Sequence, residues 1–189
     1  MTTQTDSALS PHDLTIKFHE VYNHPILTVP TYNIPHLIMR AELCLEEAKE
    51  LADGRNIRSL IDMADALGDL IYVCYGAAHA HGLDLNSVFN LPSSQSVALT
   101  LWDSLPSGVN APYVPTLGHE NVDDAIASLI LNAERYLDYV KSTPVDEGSI
   151  DTVLSHLVFL MSGSYYTSFL LGIPLDEVLQ QIHLSNMSK

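Results

Sequence analysis

A repeat constrains this chain more than any other pattern in it. Tyr75, Gly82, Leu85 and Val88 return ninety positions later as Tyr165, Gly172, Leu175 and Val178. Upstream, Ala41-Glu42-Leu43-Cys44-Leu45 matches Ala127-Ser128-Leu129-Ile130-Leu131 at 86 positions, so the second turn carries four extra residues. Each half therefore reads as a helix pair that closes on a Gly-x-x-Leu-x-x-Val segment. One helical hairpin cannot cover its own apolar stripe, and two of them bury it best against each other. The expected fold is all-α: a four-helix-bundle core from two tandem helical hairpins, the second copy degenerate. All of residues 1–189 form one domain on this reading. Pseudo-repeat 1 covers about 13–90, a linker or lid about 91–120, and pseudo-repeat 2 about 121–189.

Apolar periodicity supports the helices. Leu37, Ile38, Ala41, Cys44, Leu45, Ala48 and Leu51 recur at steps of three and four, which predicts a helix over Ile34–Ala52. Further helices are expected over Asp13–Tyr22, Arg55–His81, Asn121–Val140, Ser149–Leu171 and Leu175–Ser185, with a short turn of helix at Asp84–Phe89. Pro25, Pro30 and Pro35 make 23–34 an extended loop. Ala52-Asp53-Gly54-Arg55-Asn56 reads as the turn of the first hairpin. Residues 1–12 are expected to be disordered. No stretch alternates at period two, so no strands are expected.

Composition narrows the function. The chain is 47% hydrophobic, with no apolar run long enough to span a membrane, so no membrane partner is expected. Its net charge of −15 argues against nucleic acid as a partner, because a phosphate backbone calls for a cationic surface. An acidic protein can still hold a small polyphosphate when metal ions bridge the two. Cys44 and Cys74 fall on apolar helix faces, and residues 1–6 lack the basic and apolar regions of a signal peptide. A reducing, cytoplasmic location is expected from these two features.

Chemistry is concentrated in two acidic clusters, Glu46-Glu47-Ala48-Lys49-Glu50 and Asp65-Ala66-Leu67-Gly68-Asp69. Glu47 and Glu50 share one side of their helix, and Asp65 and Asp69 share one side of theirs. A hairpin turn between the clusters brings the four carboxylates face to face. The second cluster is embedded among Met63, Ala64, Leu67, Leu70 and Ile71, so its face is not simply solvated. Carboxylates so placed repel one another and lose hydration unless cations compensate. The expected cation is Mg²⁺, with Mn²⁺ as a substitute, since both take oxygen ligands. The repeat supplies a control. At the same positions the second copy has Ala133, Tyr136, Ser155 and Phe159, so a bundle can be built without the acids.

These residues resemble the all-α nucleoside triphosphate pyrophosphohydrolases, the MazG-like superfamily, which also holds phosphoribosyl-ATP pyrophosphohydrolase and the dimeric dUTPases. Phe18-His19-Glu20 followed by His24-Pro25 and Pro30 is similar to the family's N-terminal segment. Arg40 with Glu46-Glu47-Ala48-Lys49-Glu50-Leu51 resembles its first acidic helix, and Asp65 to Gly76 its second. His183-Leu184-Ser185-Asn186-Met187-Ser188-Lys189 is similar to the tail of one branch. The resemblance implies hydrolysis of a (d)NTP to the monophosphate and pyrophosphate, in a house-cleaning or nucleotide-pool role. It implies Glu47, Glu50, Asp65 and Asp69 as metal ligands and Glu46 with Glu47 as catalytic residues. Arg40, Asn186 and Lys189 would bind substrate. Asp65 departs from the family pattern, which places a Glu where this chain has Ala66. The first copy also lacks the tail and the second lacks the acids, as in a fused pseudo-dimer with one site per chain. The chain is further expected to pair with itself as a homodimer.

Other residues carry less. Trp102 in the expected lid is a candidate to stack on a base, against its reading as an ordinary apolar anchor. His79 and His81 point to different sides of their helix and read as packing or surface residues. His19, His24 and His36 lack metal-ligand spacing. The alternative function is a catalytically quiet helical protein that binds a nucleotide or a partner.

Overall fold

The structure is a computed structural model that describes residues 9–85, 121–142 and 149–188. Six helices run through the described residues: α1 Pro11–Val21, α2 Ile34–Asn56, α3 Leu60–His81, α4 Val122–Ser142, α5 Ser149–Leu171 and α6 Leu175–Met187. No strand occurs among them. The expected lid over 91–120 with Trp102, most of the turn at 84–89, and Lys189 lie outside the described residues.

The all-α bundle expected from the sequence is the fold. Helices α2 and α3 pack together, as do α4 and α5; α2 also packs on α4 and α3 on α5. The four helices thus close a ring around one apolar core. Leu37, Ala41, Cys44, Leu51, Leu67, Leu70 and Ile71 meet Leu129, Ala133, Tyr136, Leu157, Leu160 and Met161 there, all essentially inaccessible to water. Fully burying a side chain of Leu or Ile size is worth about 1.5–3 kcal/mol, which is why the apolar stripes decide the assembly. Cys44 and Cys74 are both buried and free, as expected. Helix α5 buries several hydroxyls. Ser155, Ser162, Ser164 and Thr167 each donate to a carbonyl of their own helix one turn back, so none is left unsatisfied.

The first hairpin turns later than the sequence suggested. Helix α2 runs on to Asn56, through the predicted turn, and α3 starts at Leu60 rather than Arg55. The reversal uses Arg58 in the left-handed region (φ 59) and Ser59 as N-cap, whose hydroxyl accepts from the Asp62 N–H. Gly54 serves another purpose than turning: a Cβ there would sit 3.0 Å from the Met63 nitrogen, so its bare backbone lets α3 cross close by. The N-terminal boundary shifts as well. Ser10-Pro11 starts helix α1, with the Ser10 hydroxyl capping Asp13 N–H and Pro11 in the first turn.

Both hairpins end alike. Gly82 (φ 67) closes α3 and Gly172 (φ 69) closes α5. In each, the residue after the glycine donates five residues back, Leu83 to Ala78 and Ile173 to Ser168, each at 2.9 Å. Gly82 is constrained twice, because a Cβ there would also meet the Val29 carbonyl oxygen at 2.2 Å. That contact belongs to the extended segment 22–33. Its Leu27 and Thr31 N–H groups donate to the carbonyls of His79 and His81 at the end of α3, the first of which also accepts from the Gly82 N–H. Beyond Gly172 the chain bends by 114°, and α6 folds back across α3. Contact is made at Gly68, whose missing Cβ leaves room for Val178 and Ile182.

Candidate active site

The register of α2 against α3 is pinned at two points. Gly54 faces Met63 at one end, and Arg40 faces Gly76 at the other. The helices are antiparallel, so midway along this seam Glu47 comes opposite Asp69. Glu50 follows Glu47 by one turn, and Asp65 precedes Asp69 by one turn. Glu47 is half-buried, while Glu46, Glu50 and Asp65 stand at the edge of the seam in water.

The electrostatics register this convergence. The Glu47 carboxyl is pushed up to about 8, first by burial and then by the charges of Asp69, Glu50, Glu46 and Asp65 in that order. The other four carboxylates singled out from the sequence therefore all bear on Glu47. Asp69 also bears on Tyr72, whose hydroxyl burial pushes well up. Among the described residues, no three side chains of His, Cys, Asp or Glu are gathered on one point.

Asp65 and Ala66, where the chain departs from the family pattern, differ in burial. Ala66, where that pattern has its Glu, is buried in the bundle core. Asp65 lies one residue earlier, exposed, and lines a groove of about 510 Å³ between α3 and α6. Ile61, Ala64, Pro174, Val178 and Ser185 make up much of the rest of the wall. Helix α6 thereby reaches the first hairpin. Its Asn186 carbonyl accepts from the Tyr22 hydroxyl at 3.0 Å, and its His183 pairs with the Tyr72 hydroxyl at 3.1 Å. Asn186 is half-buried at this junction.

Arg40 is placed elsewhere. It lies on the same stripe of α2 as Glu47 but seven residues earlier, about 10 Å along the axis. It is 9% exposed and points against Gly76 and His19. The acids and Arg40 thus occupy separate stations on one seam. Sequence spacing had also hidden a convergence of histidines. His12, His19, His24 and His79 form a chain of ring contacts 4.8–5.7 Å apart, and His36 lies 5.0 Å from His81. The reading of His79 and His81 as packing residues fits their burial, but not their shared neighbourhood.

Residues 15–91, the span that carries α2, α3 and every one of these acids, match the family described as phosphoribosyl-ATP pyrophosphohydrolase. The uncharacterized protein L479 of Acanthamoeba polyphaga mimivirus is 32% identical over 178 residues, a match that covers 92% of this chain and 68% of that protein. This chain belongs to the phosphoribosyl-ATP pyrophosphohydrolase family. That family sits within the MazG-like all-α NTP pyrophosphohydrolases, and its activity is of the pyrophosphohydrolase type. No solved structure matches the chain. In this pyrophosphohydrolase family member the family match stops near the end of the first hairpin, so the second hairpin lies outside it.

Proposed function

We propose that this protein is a Mg²⁺-dependent nucleoside triphosphate pyrophosphohydrolase. Water would add across the α–β phosphoanhydride of a (d)NTP, releasing the monophosphate and pyrophosphate. One observation carries the reading: Glu46, Glu50, Asp65 and Asp69 lie along one seam with Glu47, whose carboxyl is pushed up to about 8 by burial first and by their charges after it. A like-charged cluster of this kind destabilises a bundle unless something cationic occupies it.

The donor set suits the ion. Glu47, Glu50, Asp65 and Asp69 offer hard carboxylate oxygens from two facing helices, and these four would hold Mg²⁺, or Mn²⁺ in its place. When bound, the ion neutralises the polyphosphate and stabilises the charge that develops during transfer. Glu46, exposed beside Glu47, would orient the attacking water or take its proton. The groove beside Asp65, walled by Ile61, Ala64, Pro174, Val178 and Ile182 with Glu177, Gln181 and Ser185 among them, has a volume within the range of small-molecule sites and would seat the nucleoside. Asn186 would clamp the substrate from α6, and the second hairpin would serve as the wall of the site. On this reading the protein is a tandem pseudo-dimer with one catalytic half.

The test is direct. Pure protein is incubated with Mg²⁺ and a panel of ordinary and modified (d)NTPs, and pyrophosphate and monophosphate are measured. Release of the two in equal amounts supports the proposal. Absence of turnover together with absence of Mg²⁺-dependent nucleotide binding overturns it.

A further inference from the structure

The segment between α1 and α2 is tied to the body of the protein by histidines. Residues 22–33 are exposed except for the half-buried Tyr32, and Pro25 and Pro30 have no N–H to give. Two of the segment's amides, those of Leu27 and Thr31, donate to the carbonyls of His79 and His81 at 2.8 and 3.0 Å. Two of its carbonyls accept from imidazoles in return. His19 Nδ1 lies 2.8 Å from the Pro25 oxygen, and His81 Nδ1 lies 2.9 Å from the Thr31 oxygen. A carbonyl can only accept, so each ring carries its proton on Nδ1 and a lone pair on Nε2. Thr31 is thus gripped twice by His81, through its backbone and through its ring.

The far side of each ring is set against a second proton. His36 Nδ1 donates to the Nε2 lone pair of His81 at 3.2 Å, and a proton on that nitrogen would turn N–H against N–H. His19 Nε2 and Arg40 Nη1 flank the same glycine, 3.1 and 3.0 Å from the Cβ position of Gly76, so a protonated His19 would stand beside a buried guanidinium. Burial first, and then the charges of Arg40, His24 and His36, hold His19 down to about 4. Burial first, and then Arg40, lower His81 as well. The His79 ring stands 5.7 Å from that of His19. The groups that face the two rings are therefore Arg40 and His36 from α2, His79 from α3 and His24 from the segment itself. None of these is a carboxylate that would favour the charged ring.

We propose that residues 22–33 form an acid-released strap, clamped onto the end of α3 by neutral His19 and His81 and freed when these rings gain their second proton. Once free, an imidazole returns to its ordinary value of 6.5. Between about 4 and 6.5 the open strap binds more protons than the closed one, so the closed form holds above that window and gives way as pH falls through it. For His19 alone, a drop from pH 6.5 to 5 raises the open population on the order of tenfold. What opens is the strap, while the apolar core between α2, α3, α4 and α5 keeps its contacts. The proposal stands apart from the hydrolase reading, since it involves neither the acidic seam nor turnover.

The experiment follows amide hydrogen exchange of the full chain between pH 7 and 5, corrected for the intrinsic exchange rate. The opening equilibrium of the Leu27 and Thr31 amides is expected to rise about tenfold or more from pH 6.5 to 5, while core amides such as Cys44 and Leu70 stay protected. In the double variant His19→Asn, His81→Asn, each side-chain amide takes the place of Nδ1 as a donor but gains no proton. Its strap amides should lose that pH response. Nitrogen NMR of the wild-type histidines gives a check that needs no variant. His19 and His81 should carry their proton on Nδ1 at pH 7 and titrate together with the opening of Leu27 and Thr31. A pH-independent opening, parallel opening of the core amides, a response kept in the double variant, or Nε2-protonated rings at pH 7 would each overturn the proposal.

Discussion

The two hairpins share a frame and differ along one seam. Each ends on a left-handed glycine with the same cap, and the buried positions of α5 repeat those of α3 ninety residues on: Met63 with Val153, Leu67 with Leu157, Leu70 with Leu160, Cys74 with Ser164. Across that seam, Asp69 has Phe159 as its counterpart, buried, and Asp65 has Ser155, also buried. The buried positions of α4 follow those of α2 at 85 positions rather than the 86 of the sequence match: Arg40 with Ala125, Ala41 with Ile126, Cys44 with Leu129, Ala48 with Ala133, Leu51 with Tyr136. Glu47 then corresponds to the buried Asn132 and Glu50 to Arg135. The slip of one residue changes the partners and leaves the contrast in place. One hairpin closes its seam with buried side chains, and the other keeps it open and charged. A bundle can be sealed at these positions, so the fold itself does not require the carboxylates of the first seam, and the proposed function gives them a use.

That contrast can be broken most severely through activity. Glu47→Gln and Asp69→Asn should each lower pyrophosphate release on the order of 10³-fold or more while far-ultraviolet circular dichroism stays unchanged. Activity retained in both variants would remove the seam from the chemistry. The converse substitution tests the sealed hairpin. Phe159→Asp gives the second seam an acid where the first has Asp69, and it should destabilise the protein by about 3–5 kcal/mol in urea denaturation, because it combines a cavity with a buried charge. Tolerance of that change would mean that the second seam is also open.

The next prediction concerns pH. The carboxyl of Glu47 stands at about 8 in the folded chain against 4.5 for an ordinary Glu, so between those values the folded state holds a proton that the unfolded state has released. Stability of the cation-free protein therefore falls as pH rises through that window and levels off above it. His19 and His79 act in the other direction, since burial holds both near 4, and stability is lost as pH falls below 6.5. In EDTA, the urea midpoint should decline from pH 6.5 to 8.5 for wild type and stay flatter for Glu47→Gln or with Mg²⁺ present. A wild-type slope unchanged by Glu47→Gln would show that this group is not the source. The smallest effect separates the two caps. Gly172→Ala should cost about 1 kcal/mol, the left-handed penalty alone, since nothing lies within 4 Å of its added Cβ. Gly82→Ala should cost more than about 2 kcal/mol, because the same penalty is joined by collision with the Val29 backbone. Equal losses would detach segment 22–33 from the end of α3.

Much of this was legible along the chain. Apolar steps of three and four mark helices wherever a stripe must be buried, and α2, α3 and α5 follow them closely. The spacing of Glu47 with Glu50 and of Asp65 with Asp69 is local geometry, so the acids could be placed on facing sides without a structure. The turn was harder. Ala52-Asp53-Gly54-Arg55-Asn56 has turn composition, yet Gly54 is used for close helix crossing, and the reversal falls on Ile57-Arg58-Ser59, which lacks both glycine and proline. The one-residue slip between α2 and α4 has a similar origin, since a stripe of alternating apolar steps matches itself at neighbouring offsets.

The sequence alone determined that this chain is a helical bundle with its carboxylates on one hairpin, because periodicity, caps and i to i+4 spacing act within single helices. Only the tertiary structure decided that Asp69 meets Glu47, that Asp65 opens on a groove shared with α6, and that Arg40 is buried among histidines drawn from α1, the segment after it, α2 and α3. Those relations depend on how far each helix slides and rotates against its neighbours. That is set by close contacts at Gly54, Gly68 and Gly76, and no local pattern in the chain encodes the distance between residues that far apart.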